Sequence, residues 1–382
     1  MTSLAPRRVL LQGYYGYANL GDDLLLLVAY RMLRETFPGA SVHVRCLSPR
    51  GAYLRALLGE HVPLVSALEP TDFDLIVAGG GGVFFDFDEG PVALGWVNRA
   101  ARAVPAPWLA AARRGYRRLK GTLGADAPRR VGVGIGVGTF TERSARFLVA
   151  KATLGEMSLL VVRDEESREN ALRVAPGLPV RVGADLVFAR RYWCPEPPPE
   201  GERRRRSAAF VLRAWKHDRM AHLPAVAEAA ARLQGEGVEV SLVLFDPEDE
   251  AAVRPAFLGV PTLVWRPEEP GNLERLLGHL GTRGVVVSTR AHGAIGAGCL
   301  GVPSICLAIE PKLRVVAGMF RGSGLALGLE DGLAGRLEEA VLGRLERGEE
   351  LRREVEEDVR QNERVAGETP GLLRGVIEGR AR

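Results

Sequence analysis

The chain alternates short, continuously apolar runs with stretches of helical periodicity. In the first half, short runs dominated by apolar residues lie within the segments RRVLLQG, SVHVRCLS, FDLIVAGGGG, RRVGVGIGVG, SLLVVRDEES and LPVRVGADL. Continuous rather than alternating apolarity predicts strands buried on both faces, as in a parallel sheet covered by helices. The segments LLLLVAYRMLRETF and ESRENALRVA predict helices between these strands. The first half is therefore predicted to be an α/β domain.

A break in this pattern divides the chain. The segment RRYWCPEPPPEGERRRR is rich in proline and ends in a run of charges, so it cannot continue a sheet. We predict an N-terminal domain over residues 1–192, a linker over 193–206 and a C-terminal domain over 207–382. The strand and helix pattern restarts after the linker, and a charged helical tail is expected to pack across the outside. The predicted fold class is α/β, with two Rossmann-like domains facing across a cleft that forms the default ligand site.

Length and composition limit the classes of protein to which the chain can belong. A length of 382 residues suits two domains, and 46% hydrophobic with 26% charged residues is typical of a soluble globular protein. No apolar run reaches the roughly 18–20 residues of a spanning helix, and the first residues lead into a strand without a secretory signal. We therefore expect a cytoplasmic protein. The four cysteines lack a CxxC spacing, so we expect neither a zinc site nor a disulfide framework.

One stretch is strongly basic. Residues 91–125 contain no acidic residue, and arginines are interleaved there with Trp96, Trp108 and Tyr116. The stretch suits a solvated helix face, or contact of residues 96–120 with an anionic membrane such as the inner face of the plasma membrane, because aromatic rings and arginine stems settle at headgroup depth. Nucleic acid is not expected as a partner, since no recognised binding motif accompanies the charge.

Glycine-rich turns follow three of the predicted strands. The turn GYYGYANLGDD places Tyr14, Asn19, Asp22 and Asp23 at the start of an apolar helix, where the polar groups could cap the helix or meet sugar hydroxyls. Glycine tolerates close backbone approach to a ligand, so the turns of AGGGG and VGVGIGVG are further candidates. Their candidate residues are Gly80, Gly81, Gly134 and Gly136. Neither turn has the GxGxxG spacing of a dinucleotide site.

Cations also fall at predicted strand ends. Arg163 follows one strand, and its planar guanidinium could hold a carboxylate or phosphate, or simply pair with a neighbouring acid. In STRAHGAIGAGCLGVPSICLAIEPK, His292 follows one strand and Lys312 follows the next. Successive strand ends of a parallel sheet lie side by side, so both side chains should face the same cleft. An imidazole there, beside a cation, is a candidate catalytic group.

Several of these segments together resemble one known family. GYYGYANLGDD, AGGGG, GIG, VVRDEES, FVLRAW and STRAHGAIGAGCLGVPSICLAIEPK occur in the order seen in the polysaccharide pyruvyl transferase family, and look most like its CsaB-type branch. The chain departs from the usual pattern at Asp23, where glutamate is common, and at Val137 and Gly138. The resemblance implies a fold similar to the two-Rossmann (GT-B) glycosyltransferases. It also implies transfer of pyruvate from phosphoenolpyruvate onto a sugar as a cyclic ketal, in this branch on N-acetylmannosamine of a lipid-linked precursor in bacterial cell-wall polymer assembly.

The side chains suit this chemistry. Phosphoenolpyruvate carries a carboxylate and a phosphate, which fixed cations can hold. An imidazole exchanges protons near neutral pH and could protonate the enol carbon. We assign His292, Arg163 and Lys312 as catalytic. The expected donor-binding residues are Arg290, Gly134, Gly136 and Arg213, and the expected acceptor-binding residues are Tyr14, Asn19, Asp22, Asp23, Gly80 and Gly81. No metal or separate cofactor is expected.

Two alternatives remain. A GT-B-type glycosyltransferase using a nucleotide sugar would place the same cations on a diphosphate. A non-catalytic protein that binds carbohydrate or anions at the membrane face would depend on the basic stretch rather than on His292.

Overall fold

Two parallel sheets organise the chain. A computed structural model describes residues 5–66, 72–84, 128–141, 144–194, 206–215 and 220–379. Within these residues the first sheet has seven strands, in the order β3-β2-β1-β4-β5-β6-β7. They are β1 Arg8–Gln12, β2 Ser41–Arg45, β3 Leu64–Val65, β4 Leu75–Phe84, β5 Arg129–Val137, β6 Leu159–Val162 and β7 Val180–Val182.

Four helices of the first half accompany this sheet within the described residues. They are α1 Leu20–Thr36, α2 Leu54–Leu58, α3 Ala145–Leu154 and α4 Glu165–Val174. The helix α1 is buried along most of its length, as expected of a helix that is apolar on nearly all sides. Its neighbours are the first sheet and a short turn at Leu186–Phe188. The N-terminal end of α1 therefore lies inside the molecule rather than at its surface.

The second sheet repeats the arrangement. In the described part of the chain it has six parallel strands in the order β10-β9-β8-β11-β12-β13. They are β8 Ser207–Leu212, β9 Glu239–Leu244, β10 Thr262–Val264, β11 Val285–Ser288, β12 Ser304–Leu307 and β13 Ala326–Leu327. The helices are α5 His222–Gly235, α6 Glu250–Val253, α7 Asn272–Gly281, α8 Ala291–Cys299, α9 Lys312–Gly318, α10 Leu333–Ala366 and α11 Thr369–Ile377.

Both sheets reverse their strand order at one point. The strand β1 pairs with β2 on one side and β4 on the other, while β8 pairs with β9 and β11. In open parallel sheets, ligands bind at the carboxyl ends of the strands beside such a reversal. The glycine-rich turn after β1 lies at the first reversal, and the segment containing His292 lies at the second. The prediction that AGGGG and VGVGIGVG form turns after strands is wrong, because Gly80 and Gly81 lie within β4 and Gly134 and Gly136 lie within β5.

The C-terminal helices join the two halves. The helix α10 is kinked at Gly348, whose φ of 35° favours glycine. It packs against α5, and further along it Glu363 accepts a hydrogen bond of 2.9 Å from Arg190, just beyond the first sheet. Arg129 at the start of β5 then donates to the carbonyl of Val376 in α11. The charged tail is helical, as the sequence predicts, and it ends against the first sheet.

The parallel α/β architecture predicted from the continuous apolar runs is confirmed. The basic stretch of residues 91–125 and most of the proline-rich linker lie outside the described residues. Among the helices that the structure describes, none combines the length and apolarity needed to cross a bilayer.

Candidate active site

The start of α1 docks directly onto the second domain. The amide of Leu20 donates to the carbonyl of Phe245 at 2.8 Å, immediately after β9. Three residues along, Asp23 accepts a hydrogen bond from the indole Nε1 of Trp265 at 2.9 Å. These contacts hold the turn after β1 against the strand ends of the second sheet. The space between the two sheet reversals is called the cleft below.

His292 is fixed from two sides at the start of α8. Its Nε2 lies 3.6 Å from Oδ2 of Asp185, a fully buried carboxylate of the first domain. Its other nitrogen, Nδ1, lies against Gly21 of α1, where any Cβ would overlap the ring. The glycine is therefore required by close approach of the imidazole. The two domains together set the position of this side chain.

Asp185 also faces Arg163, so one carboxylate lies between two groups assigned as catalytic. Arg163 NH1 is 3.7 Å from Asp185 Oδ2, and its Nε is 3.2 Å from Asp164 Oδ2. A Cβ at Gly136 would lie 2.8 Å from the guanidinium carbon, which explains the glycine there. Burial alone would raise the pKa of Asp185, but His292 and Arg163 outweigh burial and hold that pKa below its ordinary value.

Lys312 and Arg213 share one acid. Lys312 Nζ lies 2.8 Å from Oε1 of Glu310, and Arg213 NH1 lies 3.3 Å from the same oxygen. Arg213 also stacks on Trp215, with its guanidinium carbon 4.4 Å from the ring centre. Burial lowers the pKa of Lys312, and Glu310 partly opposes this effect. One carboxylate beside two cations leaves local positive charge for an anionic ligand.

Arg290 faces acids of the second domain. Its NH2 pairs with Asp249 and lies 3.7 Å from Asp246 Oδ2. Its Nε is buried and makes no hydrogen bond with any described residue. Part of its charge is thus satisfied within the protein, as is also true of Arg163 and Lys312.

The two adjacent acids of the first turn have different surroundings. Asp23 is 2% exposed, and it accepts hydrogen bonds from Tyr53 at 2.7 Å and from Trp265 at 2.9 Å. Burial raises the pKa of Asp23 to about 7, against the effect of these two hydrogen bonds. Asp22 is only partly buried and lies near enough to the cationic side chains of the cleft for their charges to act on it. Asp23 thus joins the domains, whereas Asp22 is free to meet a ligand.

The other candidate residues of this turn, Asn19 and Tyr14, also differ in their surroundings. Asn19 caps α1 by accepting from the amide of Gly21 at 3.1 Å. Tyr14 is 51% exposed and stacks on Tyr17 with ring centres 4.1 Å apart. An exposed pair of stacked rings with polar edges is a surface on which a sugar can lie. Tyr14 therefore has the exposure of an acceptor contact, while Asn19 serves the helix.

The candidate glycines adopt backbone conformations that other residues avoid. Gly80, Gly81 and Gly134 have φ values of 62°, 88° and 61°. A Cβ at Gly80 would overlap Leu25 and one at Gly134 would overlap Leu186, so packing explains both. Only Gly81 of these three opens toward Asp22.

Sequence reasoning assigned no site role to Asp185 or Glu310, the acids that hold the cations. Both follow strands, β7 and β12, so their position at a strand end was the available signal. Among the residues that the structure describes, no group of three His, Cys, Asp or Glu side chains is arranged to hold a metal ion.

Solved structures show what this fold resembles. A putative UDP-N-acetylglucosamine 2-epimerase from Listeria monocytogenes matches with a TM-score of 0.61, at 12% identity over 97% of both chains. Anabaena Alr3699/HepE, solved in complex with UDP, matches at 0.58 with 10% identity, over 98% of this chain and 100% of that one. S. aureus MnaA, also solved with UDP, matches at 0.59 with 12% identity, over 98% and 97%. At such identities the likeness concerns the fold alone.

The fold and cleft therefore define a two-domain protein of the GT-B kind, which confirms the predicted fold class. The chain belongs to the polysaccharide pyruvyl transferase family, whose model matches residues 19–311. The matched region runs from the cap of α1 to the residue before Lys312. Membership implies a pyruvyl transferase enzyme. No curated protein sequence is significantly similar to the chain.

The buried carboxyl of Asp23, which is hydrogen-bonded to Tyr53 and Trp265, leads to a prediction about stability. A carboxyl whose pKa rises from 3.8 to about 7 on folding stabilises the protein below about pH 4, and this contribution is lost as the pH rises toward 7. We expect wild-type protein to lose roughly 2 kcal/mol of unfolding free energy between about pH 5 and pH 8 through this group. Asp23→Asn should lack that loss. Urea denaturation at the two pH values measures the difference.

The control for this prediction is Trp265→Phe. It removes one hydrogen bond but keeps the titrating carboxyl, so its stability should still fall with pH. If the unfolding free energies of wild type and Asp23→Asn changed with pH in parallel, the carboxyl of Asp23 would not titrate in this range.

Proposed function

We propose that the protein transfers pyruvate from phosphoenolpyruvate onto a sugar as a cyclic ketal, with release of phosphate. The observation that carries this proposal is the grouping of three side chains in a chain of the pyruvyl transferase family. His292 and Arg163 both face Asp185, and Arg163 is near enough to Lys312 to act on its charge. Fixed cations suit a donor with two anionic groups, and an imidazole among them suits proton transfer.

The proposed reaction uses these groups in order. Arg163 and Lys312 hold the carboxylate and phosphate of the donor, with Arg213 and Arg290 adding positive charge. His292 delivers a proton to the methylene carbon of phosphoenolpyruvate, and a sugar hydroxyl attacks the adjacent carbon. Phosphate leaves as a second hydroxyl attacks the same carbon, which closes the ketal. The acids beside these cations hold them in place before the donor arrives.

For the acceptor we propose N-acetylmannosamine of a lipid-linked cell-wall polymer precursor, as in the CsaB-type branch that the motifs resemble. The turn after β1 would hold this sugar, with Tyr14 beneath a ring and Asp22 at a hydroxyl. A lipid-linked acceptor also fits peripheral contact of the basic stretch, residues 96–120, with an anionic membrane.

The test of this function is phosphate release that depends on the sugar. Purified protein is incubated with phosphoenolpyruvate and the 4-nitrophenyl glycoside of N-acetylmannosamine, and phosphate and the ketal product are measured. Release that requires both substrates supports the proposal. Activity with a nucleotide sugar in place of phosphoenolpyruvate would instead indicate a glycosyltransferase.

Lys312 gives a prediction about donor binding. We expect Lys312→Ala to weaken phosphoenolpyruvate binding about tenfold or more, because it removes a cation that a single shared carboxylate leaves incompletely neutralised. Isothermal calorimetry measures the change. Arg314→Ala, an exposed cation on the same helix, should leave donor affinity unaltered. Unchanged affinity in Lys312→Ala would remove Lys312 from the donor site.

A further inference from the structure

Asp22 is an acid of the cleft that has no hydrogen-bond or ion-pair partner in the part of the chain that the structure describes. Among the described residues, none donates a hydrogen bond to it or forms an ion pair with it, whereas both oxygens of Asp23 are engaged. The side chain follows Asn19 and Gly21, which are committed to capping α1 and to seating the imidazole. Capping and interdomain packing thus need the neighbours of Asp22 but not Asp22 itself.

The surroundings of Asp22 are those of the reaction centre. His292, Arg290, Lys312 and Arg213 are all near enough to act on its charge. Other titratable groups that interact with it are Tyr14, Tyr15 and Asp23. A Cβ at Gly81 would lie 3.7 Å from Asp22 Oδ1, so this oxygen of Asp22 faces the backbone of Gly81. A hydroxyl group entering beside Gly81 would meet the carboxylate and the cations together.

We propose that Asp22 is the base that accepts the proton of the attacking sugar hydroxyl, a role that rests on the proposed function. A hydroxyl becomes a better nucleophile when a carboxylate takes its proton during attack. His292 cannot serve the same hydroxyl at that moment, because in the proposed reaction it is giving a proton to the donor carbon. Two groups are needed, and the cleft supplies one acid and one base.

With His292 and Asp22, every proton transferred in the reaction is accounted for. In the first step His292 gives a proton to the methylene carbon, the first hydroxyl oxygen bonds to the adjacent carbon, and Asp22 takes the hydroxyl proton. In the second step the carbon–oxygen bond to phosphate breaks, the second hydroxyl oxygen bonds to the same carbon, and its proton returns to His292. Asp22 passes its proton to the departing phosphate. Both side chains regain their starting states, and no electron carrier takes part.

The electrostatics of the site agree with this role. Burial raises the pKa of Asp22, and His292, Arg290, Lys312 and Arg213 oppose the rise. A carboxyl with a raised pKa holds a proton more readily than an exposed aspartate does. It can therefore receive the proton and later return it.

The experiment compares Asp22→Asn with wild type in two measurements. The first is steady-state phosphate release with phosphoenolpyruvate and the 4-nitrophenyl glycoside of N-acetylmannosamine. We expect kcat to fall on the order of 10²-fold or more, with little change in the KM for either substrate. The amide matches the carboxylate in shape but cannot take a proton. Asp22→Glu should recover part of the lost kcat.

The second measurement is phosphoenolpyruvate binding by calorimetry. Asp22 contributes negative charge to a cationic cleft, so Asp22→Asn should bind the anionic donor as tightly as wild type or more tightly. Tighter or equal binding with lost turnover supports the assignment of a base. Weaker donor binding would mean that Asp22 organises the donor site, and would overturn the assignment.

The remaining outcomes are also decisive. If Asp22→Asn keeps the wild-type kcat and only raises the KM for the glycoside, Asp22 is a binding residue. This outcome would overturn the assignment of a base but leave the proposed function standing. Absence of phosphate release in the wild-type protein would reject the proposed function, and the base with it. The two failures are distinguished by the wild-type reaction.

Discussion

Replacing His292 by glutamine should lower kcat on the order of 10² to 10⁴-fold while phosphoenolpyruvate still binds. The glutamine amide can approach the position of Nε2 and donate to Asp185, so the buried carboxylate keeps a partner. It cannot deliver a proton to carbon. Arg163 and Lys312 are untouched, and they carry the charge that holds the donor. Steady-state kinetics and calorimetry on the same preparation separate turnover from binding.

A second histidine supplies the control. His279 lies on α7, where its Nε2 is 2.8 Å from the hydroxyl of Ser241, near the beginning of β9 and away from the strand ends that form the cleft. His279→Gln should retain wild-type kcat. Turnover in His292→Gln similar to that of this control would discard the proton-donor role.

The sequence predicts where the cations lie but not what holds them. His292 and Lys312 come at the ends of β11 and β12, which are adjacent in the sheet. Their common cleft follows from the rule that neighbouring parallel strands end at one edge, so chain order alone was sufficient. The approach of Arg163 to His292 depends instead on Asp185 and on the docking of one domain against the other. No local pattern of apolar residues contains that information.

The adjacent acids Asp22 and Asp23 show the same limit of prediction from sequence, here for single side chains. Nothing in the letters of GYYGYANLGDD distinguishes Asp22 from Asp23, and both were expected at the acceptor. The difference comes from Trp265, which lies 242 residues away in sequence and reaches only Asp23. Successive residues of a helix point about 100° apart, so one acid enters the interface while the other faces the cleft. Long-range packing thus gives the two acids different roles, and their spacing in the sequence does not reveal this difference.

The contacts of Asp185 lead to the last prediction. Asp185→Asn should lower kcat about 10²-fold, with a smaller effect on the KM for phosphoenolpyruvate. The carboxylate is fully buried between His292 and Arg163, and its pKa is held below the ordinary value, so it is charged during turnover. It favours the proton on the imidazole nitrogen that faces it. An amide can turn an N–H toward the ring instead, which destabilises the protonated imidazole that the reaction needs.

A neighbouring acid distinguishes this positioning role from general damage to the site. Asp164 pairs with the other side of Arg163 and caps α4 through the amide of Ser167. Asparagine is an equally good cap, so Asp164→Asn should keep the fold. Its NH2 group would face Arg163 Nε in place of a carboxylate oxygen, so this variant should loosen Arg163 without touching His292. The division of the effect between kcat and KM then gives a readout that general loss of packing would not produce. We expect Asp164→Asn to raise the KM for phosphoenolpyruvate more than it lowers kcat, whereas Asp185→Asn should lower kcat more than it raises that KM. Equal losses of kcat in the two variants would mean that Asp185 supports only the fold.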